Sequence, residues 1–259
     1  RQIREYTQNL ERLVDEKARQ LIEAERMAAV GQTVAEMSHT IKNIANALKG
    51  SIFVLGKGIE LDEKEYLLQG WRMVKENVER IKNLSLDLLH YGKYSQANFS
   101  RSDPNLPARE VLQLMAAKAG EAGVELRSEL SEDLPLLALD LEGIQRCLMN
   151  LLENAIDACR ADAAGGRPKQ VVLRTRRMPD GGAEYLVADN GGGMDSGVQQ
   201  RLFQGFFSTK GTDGTGLGLM MAKRIVGQHE GTIEVQSRPG DGTTVILRLP
   251  PRRDTGDRP

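Results

Sequence analysis

The chain of 259 residues is longer than one average domain, so one or two domains are expected. With 40% hydrophobic residues, 27% charged residues and a net charge of −1, it reads as soluble and globular with some long exposed helix, and it gives no electrostatic basis for binding nucleic acid or an acidic membrane surface. Its two cysteines, Cys147 and Cys159, fall in one helical stretch, which argues against a disulfide framework or a zinc site and points to a reducing, cytoplasmic compartment.

No apolar run reaches the length of a membrane span and no signal peptide is present; the opening "RQIREYTQ" lacks Met and is already helical, so the chain reads as part of a longer protein. Over residues 1–30, Ile3 and Leu10 hold one heptad position and Tyr6, Leu13 and Met27 the other. Lys17 and Gln20 interrupt the seam while Val14, Leu21 and Ala28 run beside it. This is the pattern of a parallel two-stranded coiled coil with a local discontinuity, the alternative being one amphipathic helix on a globular body. "GKGIELD" (56–62) reads as a turn, and a second helix follows over roughly 62–91 with Leu67, Trp71, Val74, Val78 and Ile81 along one face. An isolated hairpin of two such helices would expose an apolar stripe; two hairpins bury it in a four-helix bundle, so a homodimer is expected.

"YGKYSQANFSRSDPNLP" is polar and reads as a linker. Beyond it the pattern predicts a helix over 106–119, a strand near "VELRSEL", a helix over 141–163 and strands at "QVVLRTRRM" and "AEYLVADN". A glycine-rich loop then leads into a helix near 216–229, and strands at "GTIEVQSR" and "TTVILRLP" close the domain. Strands and helices that do not alternate strictly indicate an α+β two-layer sandwich, a mixed sheet with helices on one face. The tail, 252–259, reads as disordered.

One of three histidines lies in "AEMSHTIKNIANALKG" (35–50). With His39 at 0° and about 100° per residue, Val34, Met37, Ile41, Ala45, Leu48, Ile52 and Leu55 fall between about 160° and 240°. His39 therefore points away from the apolar stripe, with Asn43 one turn later on its side. Either it is a casual solvent histidine, or it is a nucleophile, one ring nitrogen attacking while the other keeps its proton.

The second half supplies something to attack. "CLMNLLENAIDACR" places Asn150, Asn154 and Asp157 on one polar helix face, where amide oxygens suit a hard cation such as Mg²⁺ that keeps waters and bridges phosphates. In "ADNGGGM" a carboxylate at a strand end can accept from an exocyclic amine, and the glycines allow close packing against a ring. "GTDGTGLGLMMAKRI" opens a helix whose free amides favour phosphate. Three of the five Phe residues sit in "FQGFF", either as anchors for a mobile lid or as plugs at the core edge.

In this order the motifs resemble the cytoplasmic core of a two-component sensor histidine kinase: a dimerisation and phosphotransfer hairpin followed by a GHKL (Bergerat) ATP-binding domain. The resemblance covers roughly residues 30–250. It implies a signalling coiled coil over 1–30, the phosphotransfer hairpin over 31–92, a linker over 93–105 and the ATP-binding domain over 106–251. It also implies that Asn154 holds Mg²⁺, Asn150 lies near the phosphates and Asp157 lines the site, while Asp189 reads the adenine amine beside Gly191 and Gly193. Lys210, Gly216 and Gly218 would belong to the lid over the phosphates, Gly214, Thr215 and Leu217 of the same glycine box would also bind the nucleotide, and Thr243 would support Asp189.

ATP would then phosphorylate His39, leaving ADP, and the phosphoryl group would pass to an Asp of a response regulator receiver domain. Asn43 occupies the position associated with phosphatase activity. A sensor or membrane anchor would lie ahead of residue 1, the one route by which a membrane would be involved. Related gyrase- and MutL-type ATPases carry a hydrolytic Glu where this chain has Asn150. The chain departs from the family in Thr40, which replaces the usual acid after the histidine, and in Ile44, which replaces the usual Pro. The alternatives are a kinase-deficient phosphatase or nucleotide-gated scaffold, and an ATP-driven clamp.

Overall fold

The structure is a computed structural model; it describes residues 38, 41–93, 97–162, 166–203, 207–209 and 216–251. The coiled-coil segment 1–30, His39, Thr40 and the tail 252–259 lie outside the described residues. The chain divides into two compact units, Arg1–Ile81 and Lys82–Pro259.

Helix α1 (41–60) and the first part of helix α2 (Lys64–Lys93), up to Ile81, form a hairpin in the first unit. The turn is shorter than the sequence suggested. The helix continues through Gly56 and Gly58, and the chain reverses at Leu61–Asp62, where Asp62 takes φ 53°. The glycines act in packing here: a Cβ at Gly58 would lie 2.7 Å from Leu67 N, and one at Gly70 would lie 2.7 Å from Leu55 Cγ. Ile44, Ser51 and Gly58 are buried at seven-residue spacing on α1, and Gly70 and Asn77 are buried likewise on α2. Asn77 Nδ2 donates to Met73 O at 2.8 Å and to Ser51 Oγ at 3.4 Å, and Ser51 Oγ donates to Ala47 O at 2.8 Å. Beside this seam, Ile52 (63% exposed) and Ile59 on α1 and Trp71 (57% exposed) and Val78 on α2 remain open. Residues of one apolar stripe thus divide into those that close the hairpin and those that it leaves uncovered.

The second unit contains β1 (Ser100–Ser102), α3 (Asn105–Glu121), β2 (Glu125–Glu129), β3 (Leu137–Leu139), α4 (Leu141–Ala161), β4 (Gln170–Arg177) and β5 (Ala183–Asp189). It continues with α5 (Ser196–Arg201), α6 (Gly218–Gln228), β6 (Thr232–Arg238) and β7 (Gly242–Leu249). Strand β1 lies inside the segment read as linker and pairs antiparallel with β3, Ser100 opposite Leu139. These two three-residue strands, and the six-residue α5, are too short to show a periodicity in the sequence.

The main sheet has the order β2-β4-β5-β7-β6; β2 and β4 are parallel and the other pairs antiparallel. Alternation gives it two unlike faces. Val171, Leu173, Ala183, Tyr185, Val187, Leu247 and Leu249 are buried with Val111 and Met115 of α3, Leu148 and Leu152 of α4, and Ala222 and Ile225 of α6. The Tyr185 hydroxyl donates to Pro104 O at 2.7 Å, which satisfies the one polar atom it brings into that core. The opposite face carries charge: Arg174 pairs with Glu129 at 2.5 Å, and Arg248 with Glu184 at 3.0 Å and Glu234 at 2.7 Å. The helices therefore cover one face only, and the strand ends carrying Asp189 and Thr243 meet α4 at the edge of this layer.

Candidate functional site

Asp189 ends β5 directly opposite Thr243, at the start of β7. Its Oδ1 accepts from Gly191 N at 2.9 Å and from Thr243 N at 3.3 Å, which fixes the carboxylate and leaves Oδ2 without a hydrogen bond among the described residues. Burial pushes this carboxyl up to about 6, against the pull of the two N–H donors. An oriented carboxylate with one oxygen committed and one spare suits recognition of a neutral donor such as an amine.

The glycines around it are there for close approach. Gly191 is buried against α4: a Cβ would lie 2.7 Å from Ala158 O. Gly193 has φ +66°, and a Cβ there would lie 1.9 Å from Arg238 O; Gly242 has φ +96°, and its Cβ would lie 2.1 Å from Asp189 O. The turn 190–193 and the β6–β7 turn are thus pressed together, and Gly240 N donates to Gly192 O at 2.8 Å. Ser237 joins them through its Oγ, which accepts from Met194 N at 2.9 Å, donates to Gly242 O at 2.9 Å and lies 2.9 Å from Thr243 Oγ1.

At the other end of the site, Gly218 opens α6 against α4; a Cβ there would lie 2.8 Å from Asn150 Oδ1. Asn150, Asn154 and Asp157 are half-buried along α4, and Asp157 Oδ1 lies 3.5 Å from Arg160 Nη2. From Ala158, against which Gly191 packs, to Asn150 is eight residues, about 12 Å along the helix axis. A ligand lying on this face would have the carboxylate at one end and the amides opening α6 at the other, an arrangement suited to a nucleotide.

Comparison with known proteins agrees with this geometry. Residues 139–253 match the family "Histidine kinase-, DNA gyrase B-, and HSP90-like ATPase". The chain is 30% identical over 236 residues to the signal transduction histidine-protein kinase AtoS of Escherichia coli (strain K12), covering 91% of this chain and 37% of that protein. It is 29% identical over 247 residues to the sensor histidine kinase ZraS of Klebsiella oxytoca, covering 95% and 51%. Residues 139–253 form an ATP-binding domain of that ATPase family, and nearly the whole chain is similar to sensor histidine kinases. The chain spans about half the length of these relatives or less. Among solved structures, the catalytic domain of histidine kinase ThkA is 28% identical with a TM-score of 0.51, covering 59% of this chain and 95% of that one. ThkA in complex with the response regulator protein TrrA has a TM-score of 0.68 at 24% identity, covering 88% and 64%, a likeness of fold.

Within this histidine kinase core, the expected site residues are distributed unevenly. Asp189, Gly191, Gly193 and Thr243 form one cluster beside α4, and Asn150 of α4 and Gly218 at the start of α6 form a second. Gly216 has φ +69° and Leu217 is buried before α6. Lys210, Gly214 and Thr215 lie outside the described residues, as does His39; Asn43 is exposed on α1. Two phenylalanines of the expected lid lie against cations: Arg201 Cζ is 4.2 Å from the Phe207 ring centre and Lys223 Nζ 5.2 Å from that of Phe203. Glu153, next to Asn154, is turned away and pairs with Lys118 of α3 at 2.8 Å. Sequence reading passed over Ser237 and the side chain of Asn190, whose Oδ1 accepts from Gln170 N and whose Nδ2 donates to Pro168 O, both at 2.8 Å. Ser237 was within reach, since the turn in "SRPGDGTT" sets it opposite Thr243.

Proposed function

We propose that the chain is a histidine kinase that binds ATP between α4, the 189–193 turn and the start of α6, and transfers the γ-phosphoryl group to His39. The observation that carries this reading is the Asp189 carboxylate, held at Oδ1 by two backbone donors with Oδ2 spare, at the far end of one helix face from the Gly218–Asn150 contact. Asp189 Oδ2 accepts from the adenine amine, Gly191 and Gly193 lie beside the ring, and the first amides of α6 face the phosphates. The amide oxygen of Asn154 fits Mg²⁺, which takes few protein ligands and retains water and phosphate oxygens. When bound, the ion supplies charge neutralisation on the phosphates.

A neutral His39 attacks the γ-phosphorus with the lone pair of one ring nitrogen. The bond from the γ-phosphorus to the β–γ bridging oxygen breaks, ADP leaves with those electrons, and the phosphoimidazole loses the proton held on the other nitrogen. The uncovered Ile52, Ile59, Trp71 and Val78 support a homodimer in which two hairpins form a four-helix bundle. The phosphohistidine then serves an Asp on a receiver domain, with Asn43 available to orient water for the separate phosphatase reaction, in which water attacks the phosphorus of the acyl phosphate, the bond to the Asp oxygen breaks and inorganic phosphate leaves. No helix among the described residues is long and apolar enough to cross a membrane.

Incubation with γ-labelled ATP and Mg²⁺ tests the proposal. Acid-labile, alkali-stable label on the wild type and none on His39→Ala is expected. Equal labelling of both, or ATP hydrolysis that is unchanged in His39→Ala, would replace the kinase by another acceptor or by an ATPase clamp.

A further inference from the structure

The loop between α4 and β4 reaches the base-recognition cluster through one side chain that the motifs do not include. Arg167 Nη2 donates to Asn190 O at 2.9 Å, to Gly240 O at 2.7 Å and to Gly191 O at 3.4 Å. The Asn190 carbonyl and the Gly191 amide belong to one planar peptide unit, whose C=O and N–H point in opposite directions. That same N–H donates to Asp189 Oδ1. A guanidinium at one end of the plane and a carboxylate at the other therefore hold it in one orientation.

The second donor to Asp189 lies in the same grip. Thr243 N follows the β6–β7 turn, and Arg167 holds that turn at Gly240 O while Gly240 N donates to Gly192 O. The segment that follows Arg167 is itself held, because Asn190 bonds to Pro168 O and Gln170 N on either side of Lys169. One exposed arginine thus touches both backbone segments that orient the carboxylate.

We propose that Arg167 is a positioning residue for Asp189: through the Asn190–Gly191 peptide it sets the angle at which the carboxylate meets the exocyclic amine of adenine. This rests on the nucleotide reading above. It assigns to Arg167 base discrimination rather than phosphate binding, since none of its three contacts lies near Asn150 or Gly218.

The test compares ADP with IDP, which carries a carbonyl where ADP has the amine, by calorimetric titration of the whole chain alongside melting curves. Wild type should prefer ADP. Arg167→Ala should raise the dissociation constant for ADP about tenfold and that for IDP less than about twofold, so the preference falls, whereas a structural role alone would lower the melting temperature and weaken both together. Arg167→Lys, which retains a charged donor for Asn190 O, should restore most of the preference, and Arg167→Gln, a neutral donor, part of it. The Lys and Gln variants keep the test decisive if the Ala variant does not fold. An ADP-to-IDP ratio equal to that of wild type in the folded variants would overturn the role of Arg167 alone. A wild type that does not distinguish ADP from IDP would overturn the reading of Asp189 and this inference with it.

Discussion

The Asp189 carboxyl sets function against stability in a way that one substitution separates. Its rise from an ordinary 3.8 to about 6, driven by burial, means that the folded protein prefers the neutral acid. The sign follows: stability associated with this group is fully present below pH 3.8 and is lost as pH rises through 6, because ionisation is harder in the folded state than in the unfolded one. The shift corresponds to about 3 kcal/mol of stability given up at pH 8. Asp189→Asn keeps an oxygen for Gly191 N and Thr243 N but carries no charge. At pH 8 the variant should exceed wild type by about 2–3 kcal/mol, a rise of about 5–10 °C in the melting transition of the second unit. The difference should shrink toward zero near pH 4. Scanning calorimetry is the suitable assay, because the single tryptophan, Trp71, lies on α2 and reports the hairpin instead. The same variant presents an amide donor to the adenine amine and should weaken ADP binding by about thirtyfold or more. In wild type, ADP affinity should fall about tenfold for each pH unit below about 6 as the acceptor is protonated. A variant less stable than wild type at pH 8, or one binding ADP with wild-type affinity, would refute the reasoning.

Two further outcomes follow from packing. Gly193→Ala places a Cβ within 1.9 Å of Arg238 O at a φ of +66°, with backbone on both sides, so neither can give; denaturant unfolding should show the second unit destabilised by about 3 kcal/mol or more. Trp71→Glu puts a charge on the uncovered face of α2, away from the Ser51–Asn77 contact that closes the hairpin; sedimentation should show monomer where wild type shows dimer, with helical content kept by circular dichroism.

What the sequence disclosed depended on the length scale of the signal. The long helices and the five strands of the main sheet were legible because each carries several turns or alternations, and the carboxylate, glycines and asparagines of the site lie within short quoted motifs. The hairpin turn was misplaced because Gly56 and Gly58 look like breakers, whereas Gly58 serves the close contact with Leu67, a demand made by a residue outside the motif. Strand β1 was hidden because three residues, Ser100–Ser102, have no period, and only pairing with β3 defines them. Arg167 escaped for a similar reason: its partners are backbone carbonyls 23, 24 and 73 residues away, and no side-chain pattern encodes a carbonyl.

The arrangement around α4 also explains why phosphoryl transfer suits this site better than hydrolysis. A hydrolytic site needs a base beside the terminal phosphate to orient and deprotonate water. The position where related ATPases carry that glutamate is Asn150, an amide without useful basicity, and its Oδ1 already lies against Gly218 at the opening of α6. The nearest acid in the motif, Glu153, sits about 100° around the helix and is committed to Lys118 at 2.8 Å. Rotating it into the site would break that ion pair and turn the charge toward the phosphates it would repel. Asp157 lies nearer the Gly191 end, about 10 Å along the axis from Asn150, too far to act on the terminal phosphate. Water at the phosphate end therefore meets no base among these α4 side chains, and ATP held there is preserved until a nucleophile with its own lone pair is brought to it, which an imidazole is and a water molecule without a base is not.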